Sequence, residues 1–170
     1  MLRLHMSCAA LLAVSSAAMA ADPAPEIQRA PATPQAVGAL HTLRTIPEAC
    51  ARLEGRFTGD AAKPYAFAAV PTSPRCQARA KLGDAAALKA SAASGWILND
   101  VIRVPAARCA TQQAVVRIWR KPAAGAAPKM DAQGRARVYL KEGLDAAEAG
   151  KLGAVPQYAV AIAVDGKRCN

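Results

Sequence analysis

Apolar residues alternate with polar ones over several short stretches of this chain. The cleanest case is RCQARAKL at 75–82, where Cys76, Ala78, Ala80 and Leu82 fall on one face and Arg75, Gln77, Arg79 and Lys81 on the other, the period of a β-strand. PYAFAAV (64–70) precedes it across Pro71-Thr72-Ser73-Pro74, a turn-forming tetrapeptide, so the two predict a hairpin. WILNDVIRV (96–104), QAVVRIWRK (113–121), RARVYLK (135–141) and QYAVAIAV (157–164) predict four more strands. The last of these sets Tyr158, Val160, Ile162 and Val164 on one face and mostly small residues on the other, where a helix can approach closely.

Three short stretches carry helix signals instead. Thr45, Pro47 and Glu48 suit a cap and first turn, Gly55 a stop, and Ile46, Cys50 and Leu53 share one side at helical spacing. Asp84 caps an alanine-rich run that Gly95 ends, and Asp145 with Glu148 forms a capping-box variant before Gly153. Together these elements predict an α+β domain over 40–170, with an antiparallel or mixed sheet of about six strands and two or three short helices. A long Gly/Pro/Ala connection at 122–134 joins two of the strands.

Two N-terminal segments stand apart from that body. Arg3 and His5 precede a short apolar run, Met6–Val14, and Ala18-Met19-Ala20 matches the small-x-small pattern of signal-peptidase cleavage. This is the pattern of a secretory signal peptide, residues 1–20, too short to anchor the chain in a bilayer. Cys8 lies within the apolar run rather than after it, which excludes a lipid-modified cysteine. Residues 21–39 hold Pro23, Pro25, Pro31 and Pro34 and few bulky apolar side chains, the composition of a flexible, extended linker. A periplasmic or secreted location follows, and the alanine and arginine enrichment points to a GC-rich bacterial source.

Export gives the cysteines a meaning. Removing Cys8 leaves Cys50, Cys76, Cys109 and Cys169 from the total of 5, an even set that predicts two disulfides. No two of them have chelating or CxxC redox spacing. Three connectivities are possible, and Cys50–Cys76 with Cys109–Cys169 is the favoured one, because the first pair is nearest in sequence and the second ties down the C-terminus. Reinforcement is useful here. The hydrophobic fraction is 53%, but much of it is alanine, and the 170 residues include only 2 Phe, 2 Trp and 3 Tyr.

Charge narrows the partners. The chain carries 22 Lys and Arg against 12 Asp and Glu. Losing Arg3 leaves 21 against 12, a net +9 that steers encounter toward anionic surfaces.

Enzyme templates are poorly served. The mature chain has one histidine, His41, and three serines, Ser73, Ser91 and Ser94, none in a G-x-S-x-G elbow. No phosphate-binding glycine loop and no metal-ligand spacing occur, and no cofactor is expected. The acids are scattered, mostly at caps and turns. Asp100 is the exception: within an apolar strand, it predicts a carboxylate paired with an arginine or set at a β-bulge around Asn99-Asp100.

The remaining pattern is basic and aromatic. Arg117, Trp119 and Lys121 alternate along one strand and Arg137, Tyr139 and Lys141 along another, with Arg135 extending the second. If these strands pair, they form a cationic face with two aromatic rings, which Arg75, Arg79 and Lys81 could enlarge. Such a face can stack on bases or sugars while its cations meet phosphates or carboxylates. The expectation is an exported, non-enzymatic domain that binds an anionic envelope component or an acidic protein. The alternative is a periplasmic inhibitor or immunity-type factor acting through a loop, 105–112 or 122–134, held by Cys109. A small hydrolase using Asp100 and another acid stands third.

Overall fold

A computed structural model describes residues 23–123, 155–167 and 169. Among these residues seven strands run: β1 His41–Ile46, β2 Ala51–Phe57, β3 Tyr65–Pro71, β4 Lys81–Asp84, β5 Ile97–Ala106, β6 Cys109–Lys121 and β7 Gln157–Asp165. They form two sheets rather than the single expected one: a 3-stranded sheet in the order β1-β2-β3 and a 4-stranded sheet in the order β4-β7-β6-β5. The first is antiparallel, and the second is mixed because β4 lies parallel to β7.

The sheets share one core. Leu43, Ile46, Leu53 and Phe57 of the first meet Ile102, Val104, Val116, Ile118 and Val160 of the second. A second, smaller cluster lies on the outer face of the 4-stranded sheet, where Val101, Val115 and Trp119 are covered by Ala85 and Trp96 of the connection before β5. β6 is therefore buried on both faces.

Among the described residues helices are almost absent, and the first two expected ones have a physical reason to fail. The first collapses to a single 3-10 turn, Pro47–Ala49, which Cys50 ends in a left-handed conformation at φ 51°. Beyond it Ala51, Leu53, Gly55 and Phe57 are buried while Arg52 and Arg56 are exposed. That period of two outweighs the three residues at helical spacing. In the second, Asp84 Oδ1 does accept the Ala87 N–H at 2.8 Å, and Gly95 does end the segment at φ 79°. Between them lie only turns and one 3-10 turn, Ala92–Ser94, with Lys89 at φ 50°. The helix expected near Asp145 and the strand at 135–141 lie outside the described residues.

The 64–70/75–82 hairpin is also corrected. β3 folds back on β2, with Phe57 opposite Tyr65, and residues 72–80 have no regular structure. Only Lys81–Asp84 is a strand, and it pairs with β7. The Cys50–Cys76 bond holds Cys76 beside the 3-10 turn, out of reach of β3's ladder. Both disulfides join the expected partners, with Cα separations of 5.7 Å for Cys50–Cys76 and 5.5 Å for Cys109–Cys169.

The proline-rich 23–39 segment runs extended, as its composition suggests, but it is docked. Ile27 bridges Asp100 and Gln35 bridges Ala106, both parallel, so the segment lies as a strap along the free edge of β5. The N–H groups of Glu26, Ile27, Ala32 and Gln35 donate to β5 carbonyls at 2.8–3.0 Å.

Candidate functional site

Alternation puts Arg117, Trp119 and Lys121 on one side of β6, and that side is the roofed one. Trp119 is 7% exposed, among Trp96, Leu98, Val115 and Ala159, so its ring cannot stack on a ligand. Lys121 is exposed and holds its ammonium 5.8 Å from the centre of the Trp96 ring. Arg135, Arg137, Tyr139 and Lys141 lie outside the described residues.

Cations are better presented by the segment that failed to become a strand. Residues 72–79 are exposed throughout, and three backbone and covalent ties fix them: Thr72 N–H donates to Cys50 C=O at 2.9 Å, Arg79 N–H to Glu48 C=O at 2.6 Å, and Cys76 is bonded to Cys50. Arg75, Arg79 and Lys81 extend from this fixed frame with no acidic residue between Pro71 and Lys81. None of the three has an ion pair among the described residues, whereas Arg29, Arg44, Arg52 and Arg120 all do. The alternation within 75–82 drew attention to these cations; the disulfide that lifts them into a loop was expected too, but its effect on β3 pairing was not.

Asp100 occupies a different kind of site. The β5–β6 register slips between Leu98 and Asp100, so Leu98 faces Trp119 outward while Asp100 faces Ile118 inward. A second slip in β1, between Thr42 and Arg44, sets Arg44 opposite buried Leu53. Two bulges, one in each sheet, thus turn an acid and a base toward each other. Asp100, with a side chain 0% exposed, accepts from Arg44 at 3.1 Å and from two nitrogens of Arg29 in the strap at 3.0 and 2.6 Å. Beside it, Arg44 also donates to Asn99 at 2.7 Å, and Asn99 donates to Glu26 at 2.7 Å. Glu26 accepts in turn from two nitrogens of the Arg120 guanidinium, Nε and Nη2. The Arg120 hydrogen bonds, then that from Asn99, pull the Glu26 carboxyl down from 4.5 to about 2. Both carboxylates are committed to charge pairing, and the cluster works as a latch for the strap.

His41 reaches across the first sheet. Its Nδ1 donates to the Ala39 carbonyl at 3.1 Å, and its Nε2 is hydrogen-bonded to the Tyr65 hydroxyl at 2.7 Å. Burial pushes the Tyr65 phenol above its ordinary value. The ring can lie there because Gly55 has no side chain: a Cβ on Gly55 would sit 1.9 Å from the Tyr65 oxygen. Among the described residues, no three His, Cys, Asp or Glu side chains gather where they could hold a metal ion.

The 105–112 stretch is the end of β5, a turn at Ala107-Arg108 and the start of β6. It presents a hairpin tip, not a projecting loop, beside a cleft of about 310 Å³ that Phe57, Asp60 and Arg108 help to line. Neither family models, curated proteins nor solved structures provide a match to this chain.

Proposed function

We propose that this chain is an exported, non-enzymatic binding domain for an anionic partner in the cell envelope, an acidic protein foremost, and that it engages that partner through Arg75, Arg79 and Lys81. The observation that carries the reading is a tethered segment, exposed over 72–79, whose three cations have no ion-pair partner among the described residues. Fixing such cations in advance lowers the ordering cost of binding and steers encounter with a negative surface. Two disulfides fit an oxidising compartment. Among the described residues, no helix is long and apolar enough to cross a membrane.

Charge reversal at Arg75, Arg79 and Lys81 tests the reading on heparin resin, a model polyanion. The variant is expected to elute at markedly lower salt than the parent, with an unchanged circular dichroism spectrum. The same reversal at Arg117 and Lys121 is the comparator and should shift elution less. Equal elution of the parent and the loop variant would sink the proposal. For the parent, binding should fall steeply as salt rises from about 0.05 to about 0.5 M, since exposed charges are screened over that range.

A further inference from the structure

The open edge of β3 has a defined chemistry. Thr58 N–H donates to the Pro64 carbonyl at 3.0 Å, and Thr72 N–H to the Cys50 carbonyl at 2.9 Å. Between these two bonds, Ala66, Ala68 and Val70 stand opposite Arg56, Glu54 and Arg52. In an antiparallel ladder every second pair exchanges hydrogen bonds, so Ala66, Ala68 and Val70 turn their backbone groups toward β2. Tyr65, Phe67 and Ala69 turn theirs outward, and among the described residues no strand meets them, because the sheet ends at β3.

Over Tyr65–Val70 this edge carries neither a charge nor a proline; Pro71, which lacks an N–H, closes it at its C-terminal end. PYAFAAVPTSP (64–74) contains no charged residue, in a chain of net +10. Exposed strand edges are ordinarily blunted by lysines, prolines, bulges or a covering segment. β5 has such a cover in the strap.

The side chains of the same residues point between the sheets. Phe67 and Ala69 form one wall of a cleft of about 350 Å³, and Leu82, Val160 and Ile162 form the other. β4 ends its own sheet on this side, so among the described residues the sandwich is open there. A strand added to β3 would satisfy the outward backbone groups and drop every second side chain into a cleft that is apolar apart from Asp84. The 72–80 segment runs from the end of β3 to the start of β4, and so places Arg75, Arg79 and Lys81 at one end of that cleft.

We propose that the β3 edge is a strand-addition site for an extended segment of an acidic partner protein, apolar at alternate positions and acidic where it passes the 72–81 segment. The backbone groups select a strand, the cleft selects apolar side chains, and the loop selects acid. A second copy of this chain is the poorer occupant, since it brings net positive charge to net positive charge. The proposal builds on the reading of Arg75, Arg79 and Lys81 as the binding cations, but the two can fail separately.

The probe is a fluorescein-labelled peptide of alternating valine and threonine ending in a run of aspartates, titrated into the mature, oxidised protein and followed by anisotropy. Binding is expected, and with it slower exchange of the Phe67 and Ala69 amide hydrogens. Ala69→Pro removes one outward N–H while leaving the ladder to β2 intact, and should weaken binding about tenfold or more. If Ala69→Pro binds like the parent while charge reversal of the loop abolishes binding, strand addition is wrong and the loop reading stands. If the proline variant loses binding and the loop variant keeps it, strand addition stands and the loop reading is wrong. The exchange measurement needs no variant. Amides of Phe67 and Ala69 already slow in the free monomer would overturn the proposal by showing the edge covered by the chain itself. Protection that grows with protein concentration alone would overturn it in favour of a second copy.

Discussion

With its side chain 0% exposed, an ionised Asp100 depends on the guanidinium groups of Arg29 and Arg44. Removing one partner of a buried pair leaves the other charge desolvated, so Asp100→Asn should cost about 3–5 kcal/mol of stability in urea unfolding. Replacing Asp100, Arg29 and Arg44 together with apolar residues should cost less than that single change. Glu26 makes the same latch sensitive to acid. Its carboxyl falls from 4.5 in the unfolded chain to about 2 in the fold, so its contribution is complete above about 4.5 and is lost as pH drops through about 2. Protection of the Ile27 and Ala32 amides, taken relative to the intrinsic exchange rate at each pH, should therefore hold from neutral pH down to about 4.5 and fall between there and about 2, ahead of global unfolding. Undiminished protection across that window would mean that Glu26 does not hold the strap. The pairing and bulge at Asp100 were legible, because an acid inside WILNDVIRV has few other outcomes. Its partners were not: Arg29 sits in a stretch with almost nothing to bury, and Arg44 precedes what looked like a helix cap.

At the scale of elements, the two periods of the chain compete, and the longer run wins. Ala51–Phe57 holds its alternation for the full strand, whereas the helical spacing from Ile46 to Leu53 rests on three positions. Trp119 shows the opposite difficulty. Its alternation with Arg117 and Lys121 is real, yet sequence does not reveal that the 84–96 connection lies over that face. Trp119→Ala should accordingly cost about 3–5 kcal/mol as a core truncation and leave heparin elution of the folded protein unchanged; a large elution shift would restore Trp119 to the binding surface. The disulfides tie the elements together at known loop lengths. For separations of 26 and 60 residues, paired Cys→Ser changes should cost about 3.5 kcal/mol for Cys50–Cys76 and about 4 kcal/mol for Cys109–Cys169 on the chain-entropy account. Denaturation of each double variant gives the comparison. The Cys50–Cys76 variant should also bind heparin more weakly, since its basic segment is no longer fixed.

For the whole molecule, one expectation failed for a reason visible only in three dimensions. A single antiparallel or mixed sheet of about six strands with two or three short helices is what the strand and helix signals predict when taken one by one. β6 has no wet face over its middle: Val116 and Ile118 enter the shared core while Val115 and Trp119 enter the second cluster. A chain with so few large side chains builds its core by closing two sheets on each other, and alanine lets them approach. The sequence could show strands, cysteine pairs and excess charge, because each is a local or additive property. Which strand lies beside which depends on contacts between distant residues, and so does the docking of the 26–37 strap.

That docking has a consequence for the order in which the protein can be completed. The strap is among the first parts of the body to leave a ribosome, yet Arg29 finds Asp100 only after 71 further residues have followed. β4 waits in the same way for β7, the last strand of all. Pairings this remote slow folding, so for a time the earliest segment must survive without a partner. Prolines at 23, 25, 31 and 34 keep it from joining the wrong edge in the interval, and its ion pairs can form only on a surface already built. The segment that emerges first is thus suited to dock late, and refolding should show the Ile27 amide gaining protection after those of β5 and β6.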